Sequence, residues 1–584
     1  MISPRGPIPR RHWEWLAVPV IAGAASVLLT WERWIRPFVD GSRELQVPAR
    51  LAGGERLYRD VAYYYGPAAP WANAAAVDVF GRKFAVLLGM GAVAAAVLFF
   101  ALYRLTRRAG SPLSAGVAVT VAAAICVGAP NGGSFLFPYA FAALFALAAG
   151  FVALAALAGH ASRSRTAVGA VALAFALLAK AEIGAAAAAI ILVGALRRAD
   201  RGAGRRTLAA LLGGVLLAAA GYAVALRGLS MASLGSEGPF VLFSPPPEWK
   251  QVYRVISGLD DPAAALSRFA TALFLDAVIL GAAFLVALAA KAPGNREKPG
   301  AAEIAWWAIL AAAIVVAATA AGGAIEDRLP PLLTPAPIAA VLAALWLLRS
   351  PLDERGGARW MLFGFAALVG VRVAGNVAYA FVTTPYAILA LPGLTASASV
   401  LVLDVLAPRL PRPAVFRRAV AAALIALAAA GLVRLDRIRR SGSFAAVVTP
   451  AGALRIPEPW GSSSKRVLDF LGERARPGDT LACLPECGFF NFATGLRNPL
   501  RQEQILPGHL DEKAEAAVAD RIRSGGPRFF VLVDQVPPGW AAARFGDDYA
   551  REIARALFER YALVGAARAT DGSPLIRVFE RRAG

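Results

Sequence analysis

A chain of 584 residues with 58% hydrophobic and only 17% charged side chains is neither a disordered segment nor an ordinary soluble enzyme; its balance is that of a polytopic membrane protein. The 61 Lys and Arg against 39 Asp and Glu leave a net charge of +22, which in a soluble protein would suggest nucleic acid. Most of that excess sits in short arginine-rich segments at 5–11, 104–108, 163–165, 197–206, 291–298, 349–359 and 409–418, so the positive-inside rule accounts for it and no nucleic-acid partner is needed.

The first apolar run, Trp13 to Trp34, carries Trp near both ends and lacks an A-x-A cleavage site, which reads as a retained anchor. A crossing needs about 20 apolar residues. Such runs, checked against loop charge, predict thirteen crossings near 13–35, 83–103, 112–129, 138–159, 166–179, 183–196, 208–227, 269–290, 303–324, 332–348, 360–381, 386–407 and 418–434. With a cytoplasmic N-terminus, an odd count places the C-terminus outside a bacterial-type inner membrane.

Residues 36–82, between the first two crossings, are unusually polar, with Arg36, Arg43, Arg50, Arg56 and Arg59 set against Asp40, Glu44, Glu55, Asp60 and Asp78. Asp40 follows the end of the first helix, a position at the lipid–water boundary. Two readings stand there: a turn aspartate paired to Arg43, or a carboxylate that does chemistry. The cluster Tyr58, Tyr63, Tyr64, Tyr65 and Trp71 suits an aromatic belt, the commoner reading, or a sugar platform.

Segment 166–196 has the length of one long helix, but arginine-rich segments at both ends favour two short helices that dip and return at Lys180-Ala181-Glu182. A cation placed there is costly, so Lys180 either binds a phosphate or pairs with Glu182 at the turn. In the loop 228–267, Pro245-Pro246-Pro247 excludes a regular helix, and a surface helix follows with Val252, Val255, Ile256 and Leu259 on one face. Asp276 and Asp404 fall inside predicted crossings. Arg372 lies deep in another, where a partner such as Asn376 or a lipid phosphate is expected. Arg328, in the outer Glu326-Asp327-Arg328 sequence, is a further phosphate candidate and otherwise a solvated loop charge.

Beyond residue 435 the apolar runs shorten and charges of both signs mix, which divides the chain into a transmembrane domain, 1–435, and a soluble domain, 436–584. Helices at 464–475, 512–524 and 547–560, strands in Thr480–Pro485 and Arg528–Asp534, and a terminal hairpin turning at Asp571-Gly572 describe a small α/β module. Cys483 and Cys487 are close enough in sequence to bridge across a turn, or else remain two buried thiols. His12, His160 and His509 are far apart, so no histidine metal site is visible.

The sequence Asp40-Gly41-Ser42-Arg43-Glu44-Leu45, the stretch Val47 to Ala74 with its Tyr63-Tyr64-Tyr65, the Lys180-Ala181-Glu182 break, the thirteen crossings and an external α/β domain together resemble the GT-C type membrane glycosyltransferases, with the protein O-mannosyltransferases and the lipid A aminoarabinose transferases the nearest groups. The resemblance covers about the first 200 residues by motif and the remainder by layout only. It implies a polyprenyl-phosphate sugar donor, a lipid, glycan or protein acceptor, membrane lipids as surroundings, and a catalytic aspartate early in the first outer loop, here Asp40. Those families place a second acidic residue beside that aspartate and a Lys-Pro-Pro motif later; here Gly41 and Tyr65-Gly66-Pro67-Ala68-Ala69-Pro70 occupy those places. No cofactor is assigned, and a divalent metal stays open.

The expected chemistry needs one carboxylate to take the acceptor's proton and cations to hold the departing phosphate, because a sugar phosphate leaves as a weak base. Asp40 is the expected base of an inverting transfer. Lys180, Arg59, Arg328 and Arg372 are the donor-phosphate candidates, and Glu44, Glu182, Tyr64 and Tyr65 the supporting residues. Two other classes compete. A transporter or lipid flippase would concentrate ionisable groups near the midplane in matching halves, and a non-catalytic envelope scaffold would need neither Asp40 nor Lys180.

Overall fold

The computed structural model describes residues 14–33, 35, 37–38, 40–130, 133–159, 162–229, 237–239, 245–257, 259–267, parts of 269–277, 336–371, 386–410, 413–534, 544–568 and 574–582. The membrane part runs α1 (Glu14–Thr30), α2 (Asp40–Ala52), α3 (Ala68–Phe80), α4 (Phe84–Ala109), α5 (Pro112–Cys126), α6 (Phe141–Leu157), α7 (Arg163–Ala179), α8 (Ala181–Arg197), α9 (Arg201–Ala225), α10 (Pro247–Ser257), α11 (Ala336–Leu347), α12 (Glu354–Val371), α13 (Tyr386–Val400) and α14 (Pro413–Ser441). Helices occupy every predicted crossing whose residues are described. By length and composition, Phe84–Ala109, Arg201–Ala225, Ala387–Arg409 and Pro413–Ser441 are long and apolar enough to cross a membrane. Exposed Val93 and Phe100 on α4, Val171 on α7, Leu212 and Leu216 on α9 and Trp346 on α11 suit lipid rather than water.

Local sequence explains several helix starts. Ser111 caps α5 ahead of Pro112, Ser162 caps α7, and the Asp200 carboxylate accepts from the backbone N–H groups of Gly202 and Ala203 to cap α9. Arginines finish the opposite termini, as the negative end of the helix dipole favours. Arg359 donates to Ala109 O at 2.8 Å at the end of α4, and Arg198 to Leu157 O at 2.6 Å at the end of α6. Asp404, expected inside a crossing, falls within the apolar helix Ala387–Arg409 but close to its arginine-rich end. The reason is that α13 continues through a π-helical turn, Leu401–Leu406, and a short 3-10 turn to Arg409. There Arg417 donates to Asp404 at 2.9 Å and Ser114 also donates to it. Asp276, Arg328 and Arg372 lie outside the described residues.

The third proline of the Pro245–Pro247 run does not exclude a helix. Pro247 opens α10 at the first helical position, where a missing N–H costs nothing. Val252 and Tyr253 then pack on Ala366, Ala387, Ala390 and Leu394.

After α14 the chain forms β1 (Phe444–Thr449) and β2 (Gly452–Pro457), an antiparallel hairpin that sequence patterning missed, then α15 (Trp460–Arg474), β3 (Leu481–Leu484), α16 (Phe489–Thr494), α17 (Glu512–Gly525), β4 (Phe529–Val533), α18 (Arg551–Arg560), β5 (Tyr561–Arg568) and β6 (Pro574–Arg581). The second sheet has the order β3-β4-β6-β5, with β3 parallel to β4 and the other pairs antiparallel. β3 and β4 are buried along their whole length, which explains their continuous apolar runs. The predicted turn residues Asp571 and Gly572 lie outside the described residues.

This unit is seated on the membrane part through an aromatic seam. Phe38 meets Trp460 and Phe490 at ring-centroid distances of 5.0 and 5.9 Å, and Phe84 meets Phe489 and Phe492 at 5.9 and 5.1 Å. Cys483 and Cys487 are bridged, with Cα atoms 5.1 Å apart. Thiol alkylation of the denatured protein is expected to label both only after reduction; equal labelling without reductant would refute the bridge. Replacing both by Ser is expected to cost about 2 kcal/mol, the loop-closure value for so short a ring, read as a lower unfolding midpoint.

Candidate active site

The site forms where the polar first loop meets the α7–α8 break and the C-terminal unit. α2 carries Asp40 in its first turn, where a carboxylate complements the helix dipole, and Arg43 one turn on. Asp40 accepts an ion pair from Arg43 at 3.1 Å, and its side chain keeps about 30% of its surface exposed. Arg43 is buried. Its guanidinium donates to Glu44 at 3.2 Å, to Gln504 Oε1 at 2.6 Å and to the Tyr139 carbonyl at 3.5 Å. Burial works against its charge, yet Asp40, then Tyr65 and Glu44, hold its pKa above the ordinary arginine value.

Glu44 is sealed: Phe141 N–H donates to one carboxylate oxygen at 2.9 Å, and Arg43 and the Tyr63 hydroxyl approach the other at 3.2 and 3.5 Å. Burial raises its pKa against the opposing pull of Arg43 and the Phe141 N–H. It therefore ties α2 to the start of α6.

Between α2 and α3 the three consecutive tyrosines take different partners. Tyr63 and Tyr65 face Arg43, whose Cζ lies 6.0 and 5.2 Å from their ring centroids. Tyr64 faces the other way, its hydroxyl 2.9 Å from His509 Nδ1 and its ring edge-on to Trp249. Burial, with a smaller push from Arg43, lowers the His509 pKa to about 3, so this ring is neutral at working pH.

Lys180 sits at the break itself, with extended backbone at φ −149°, ψ 104°, closing α7 and opening α8. The side chain is buried with its Nζ 4.1 Å from the Tyr65 ring centroid, 3.5 Å from the Tyr139 hydroxyl and 3.1 Å from Glu182. Tyr65 thus stands between two cations, Arg43 and Lys180. The loop reaches this position because Gly66 lies on the end of α7, its N–H donating to Ala179 O at 3.2 Å; a Cβ there would fall 2.0 Å from Leu178 O.

The C-terminal unit closes the site from above. Arg50 of α2 pairs with Glu503 at 2.5 Å, and Arg501 pairs with Glu237 at the same distance while donating to Tyr58 O at 2.8 Å. Glu486, in the disulfide-closed turn, is also buried, and Asp40 and Arg43 are the charges acting on it.

The structure thus brings Asp40, Glu44, Tyr65, Lys180 and Glu182 together and places Tyr64 on the adjoining roof contact. It does not bring Arg59 to them: that guanidinium is half exposed and paired with Asp60 at 2.8 Å. Arg43, Tyr139, Gln504 and Glu486 complete the cluster and were not singled out as site residues. Arg43 was legible as the (i, i+3) neighbour of Asp40 on a helix; the others carry no local signal. Among the described residues, no group of three or more His, Cys, Asp or Glu side chains is placed to hold a metal ion.

No protein-family model and no curated protein sequence matches the chain. Solved structures do. ArnT from Cupriavidus metallidurans bound to undecaprenyl phosphate is 13% identical, with 97% of each chain covered and a TM-score of 0.51. The Archaeoglobus fulgidus oligosaccharyltransferase in complex with zinc and sulfate is 15% identical over 95% of this chain and 72% of that one, TM-score 0.46. The mycobacterial arabinofuranosyltransferase AftD is 16% identical over 99% of this chain and 40% of that one, TM-score 0.42. At their lower scores the last two carry no argument about fold. With 97% of each chain aligned to ArnT at a TM-score of 0.51, the chain has the fold of the GT-C type membrane glycosyltransferases.

Proposed function

We propose that this protein is a membrane glycosyltransferase that moves a sugar from a polyprenyl-phosphate carrier to a hydroxyl of a lipid, glycan or protein acceptor. The observation that carries this reading is the constellation at the start of α2: one partly exposed carboxylate, Asp40, beside two buried cations, Arg43 and Lys180, on either side of Tyr65. Asp40 takes the proton of the acceptor hydroxyl as its oxygen attacks the anomeric carbon. The bond from that carbon to the phosphate oxygen breaks, and the polyprenyl phosphate leaves with the electron pair, its charge met by Lys180 and Arg43. A single displacement of this kind inverts the anomeric configuration. Glu44 is saturated by three donors and serves to hold Arg43.

An apolar cavity of about 600 Å³ among α4, α6 and α7, lined by Met90, Val97, Phe145, Val152, Val171 and Phe175, supports the same reading. Phe145 and Phe175 lie near the helix ends that carry Phe141 and Lys180, so an isoprenoid tail in this cavity would bring its phosphate to the two cations. The transporter reading is less favoured, because the clustered ionisable groups lie at one end of the helices rather than halfway along them.

The test is transfer by the purified protein supplied with labelled polyprenyl-phosphate sugars and hydroxyl acceptors. Labelled product with the anomeric configuration inverted is expected, and failure with every donor would remove the reading. The mechanism also needs residues 436–584 outside the cytoplasm, as the arginine-rich segments imply. A reporter that fluoresces only in the cytoplasm, fused after Gly584, is expected to stay dark; a bright fusion would put the roof on the wrong side for this chemistry.

A further inference from the structure

We propose that Glu486, carried into the site by the C-terminal unit, is a second substrate-contacting carboxyl, one that donates a hydrogen bond to an oxygen of the sugar being transferred. The inference rests on the function proposed above. It starts from an imbalance. Glu486 is only 4% exposed, and among the described residues neither of its carboxyl oxygens has a hydrogen-bond partner. A buried carboxyl left in that state is costly, and native proteins rarely keep one without a use.

The surroundings fix where it sits. Glu486 lies in the turn closed by the Cys483–Cys487 bridge, which Ile505 N–H braces by donating to Pro485 O at 2.8 Å. Two residues on, Gly488 rests against α2 so closely that a Cβ would lie 3.0 Å from Gln46 Cβ and 3.3 Å from Ser42 O. The turn is thus pinned to the helix that carries Asp40 and Arg43. The charged and titratable groups that sense Glu486 are Asp40 and Arg43 from α2, Tyr64 from the loop between α2 and α3 and Tyr549 from the C-terminal unit. Among them only Arg43 favours its ionised form, and Arg43 is already engaged by Asp40, Glu44 and Gln504.

Burial first, and then the Asp40 charge, push the Glu486 pKa well above the ordinary 4.5, with Arg43 pulling the other way. A Glu486 that keeps its proton divides the labour with Asp40: Asp40 accepts the acceptor's proton, and Glu486 offers a proton without giving it up. The polar oxygens of a sugar are the partners such an acid lacks, whereas an isoprenoid tail offers none. The families resembled by sequence carry their second acid directly beside the catalytic aspartate; here Gly41 stands there, and this carboxyl comes from 446 residues further along the chain.

The experiment compares the full-length wild type with Glu486→Gln and Glu486→Leu by three readouts. In infrared difference spectra at neutral pH, the wild type is expected to show the carbonyl band of a protonated carboxylic acid that Glu486→Gln lacks. Binding of a polyprenyl-phosphate sugar, read as the rise in unfolding midpoint on adding donor, is expected to survive in Glu486→Gln, which still donates. It is expected to weaken roughly tenfold in Glu486→Leu, the loss of one hydrogen bond from a neutral donor. The third readout is stability against pH. A carboxyl whose folded pKa exceeds its unfolded one makes its full contribution below the unfolded value and loses it as pH rises through the folded value. The wild-type midpoint should therefore fall relative to Glu486→Gln as pH climbs above 4.5. No acid band, or donor binding by Glu486→Leu equal to wild type, would overturn the proposal. A wild type that binds donor but transfers nothing removes the transferase reading and leaves Glu486 standing; one that binds no donor removes both.

Discussion

Asp40→Asn is expected to lower sugar transfer by roughly a hundredfold to ten-thousandfold, the range that loss of a general base produces, while the protein folds and still binds donor. Asparagine keeps the shape of the side chain and cannot accept the acceptor's proton. The fold should tolerate it because Asp40 is the exposed partner in its ion pair, and Arg43 retains Glu44, Gln504 and the Tyr139 carbonyl. Because Arg43 is buried and Asp40 is only about 30% exposed, the unfolding midpoint should fall measurably, though by less than the about 3–5 kcal/mol lost when a fully buried pair is broken. Glu44→Gln is the paired measurement, and its expected signature differs. Glu44 holds Phe141 N–H and Arg43 in a buried setting, where hydrogen bonds to a charged group are worth about 1.5–3 kcal/mol each. Its loss should appear in the midpoint first and in transfer only as Arg43 drifts. Near-normal transfer by Asp40→Asn would end the assignment of Asp40 as base. A stable but inactive Glu44→Gln would move the base one helical turn along α2.

That α2 is a helix at all was hidden by Gly41 and Pro48, residues that read as loop. Its faces tell the story only afterwards: Arg43, Glu44 and Val47 turn inward because the C-terminal unit and α6 supply partners for them. The α7–α8 break was legible because a cation and a carboxylate interrupt an apolar run bounded by arginines, and burial in lipid allows few ways to satisfy them. The roof was not legible. Arg43 and Gln504 are 461 residues apart, and Tyr64 and His509 are 445 apart; no periodicity reports such pairs. Glu486 is the extreme case, since a lone Glu between Pro485 and Cys487 looks like a turn residue until the disulfide and Gly488 seat it on α2. The β1–β2 hairpin was missed for a simpler reason. Ala445 and Ala446 dilute its strand pattern, and the register is set by docking, with Arg455 N–H donating to Glu32 O at 2.9 Å.

Lys180→Met is expected to raise the donor KM by roughly tenfold to more than a hundredfold, the equivalent of one charge-assisted hydrogen bond to phosphate of about 1.5–3 kcal/mol, with a smaller change in kcat. The structure sharpens the choice between the two roles open to this lysine. As the buried half of a pair with Glu182 it has little reason to lie over Tyr65, because Glu182 is about 40% exposed and could be met from the surface. As a phosphate ligand it has every reason: the Tyr65 ring and the Tyr139 hydroxyl hold the ammonium in place at the helix break, so that little freedom is lost when the donor arrives. Methionine fills the same volume and keeps the contact with the ring, which separates charge from packing. Lys180→Arg should rescue only in part, since a planar guanidinium cannot occupy the compact position of an ammonium over the ring. Glu182→Gln should change donor KM far less than Lys180→Met, because a half-exposed partner adds below about 1 kcal/mol. A Lys180→Met protein with a lowered unfolding midpoint and an unchanged donor KM would make Lys180 a structural pin of the break, and would leave Arg43 as the sole described cation for the departing phosphate.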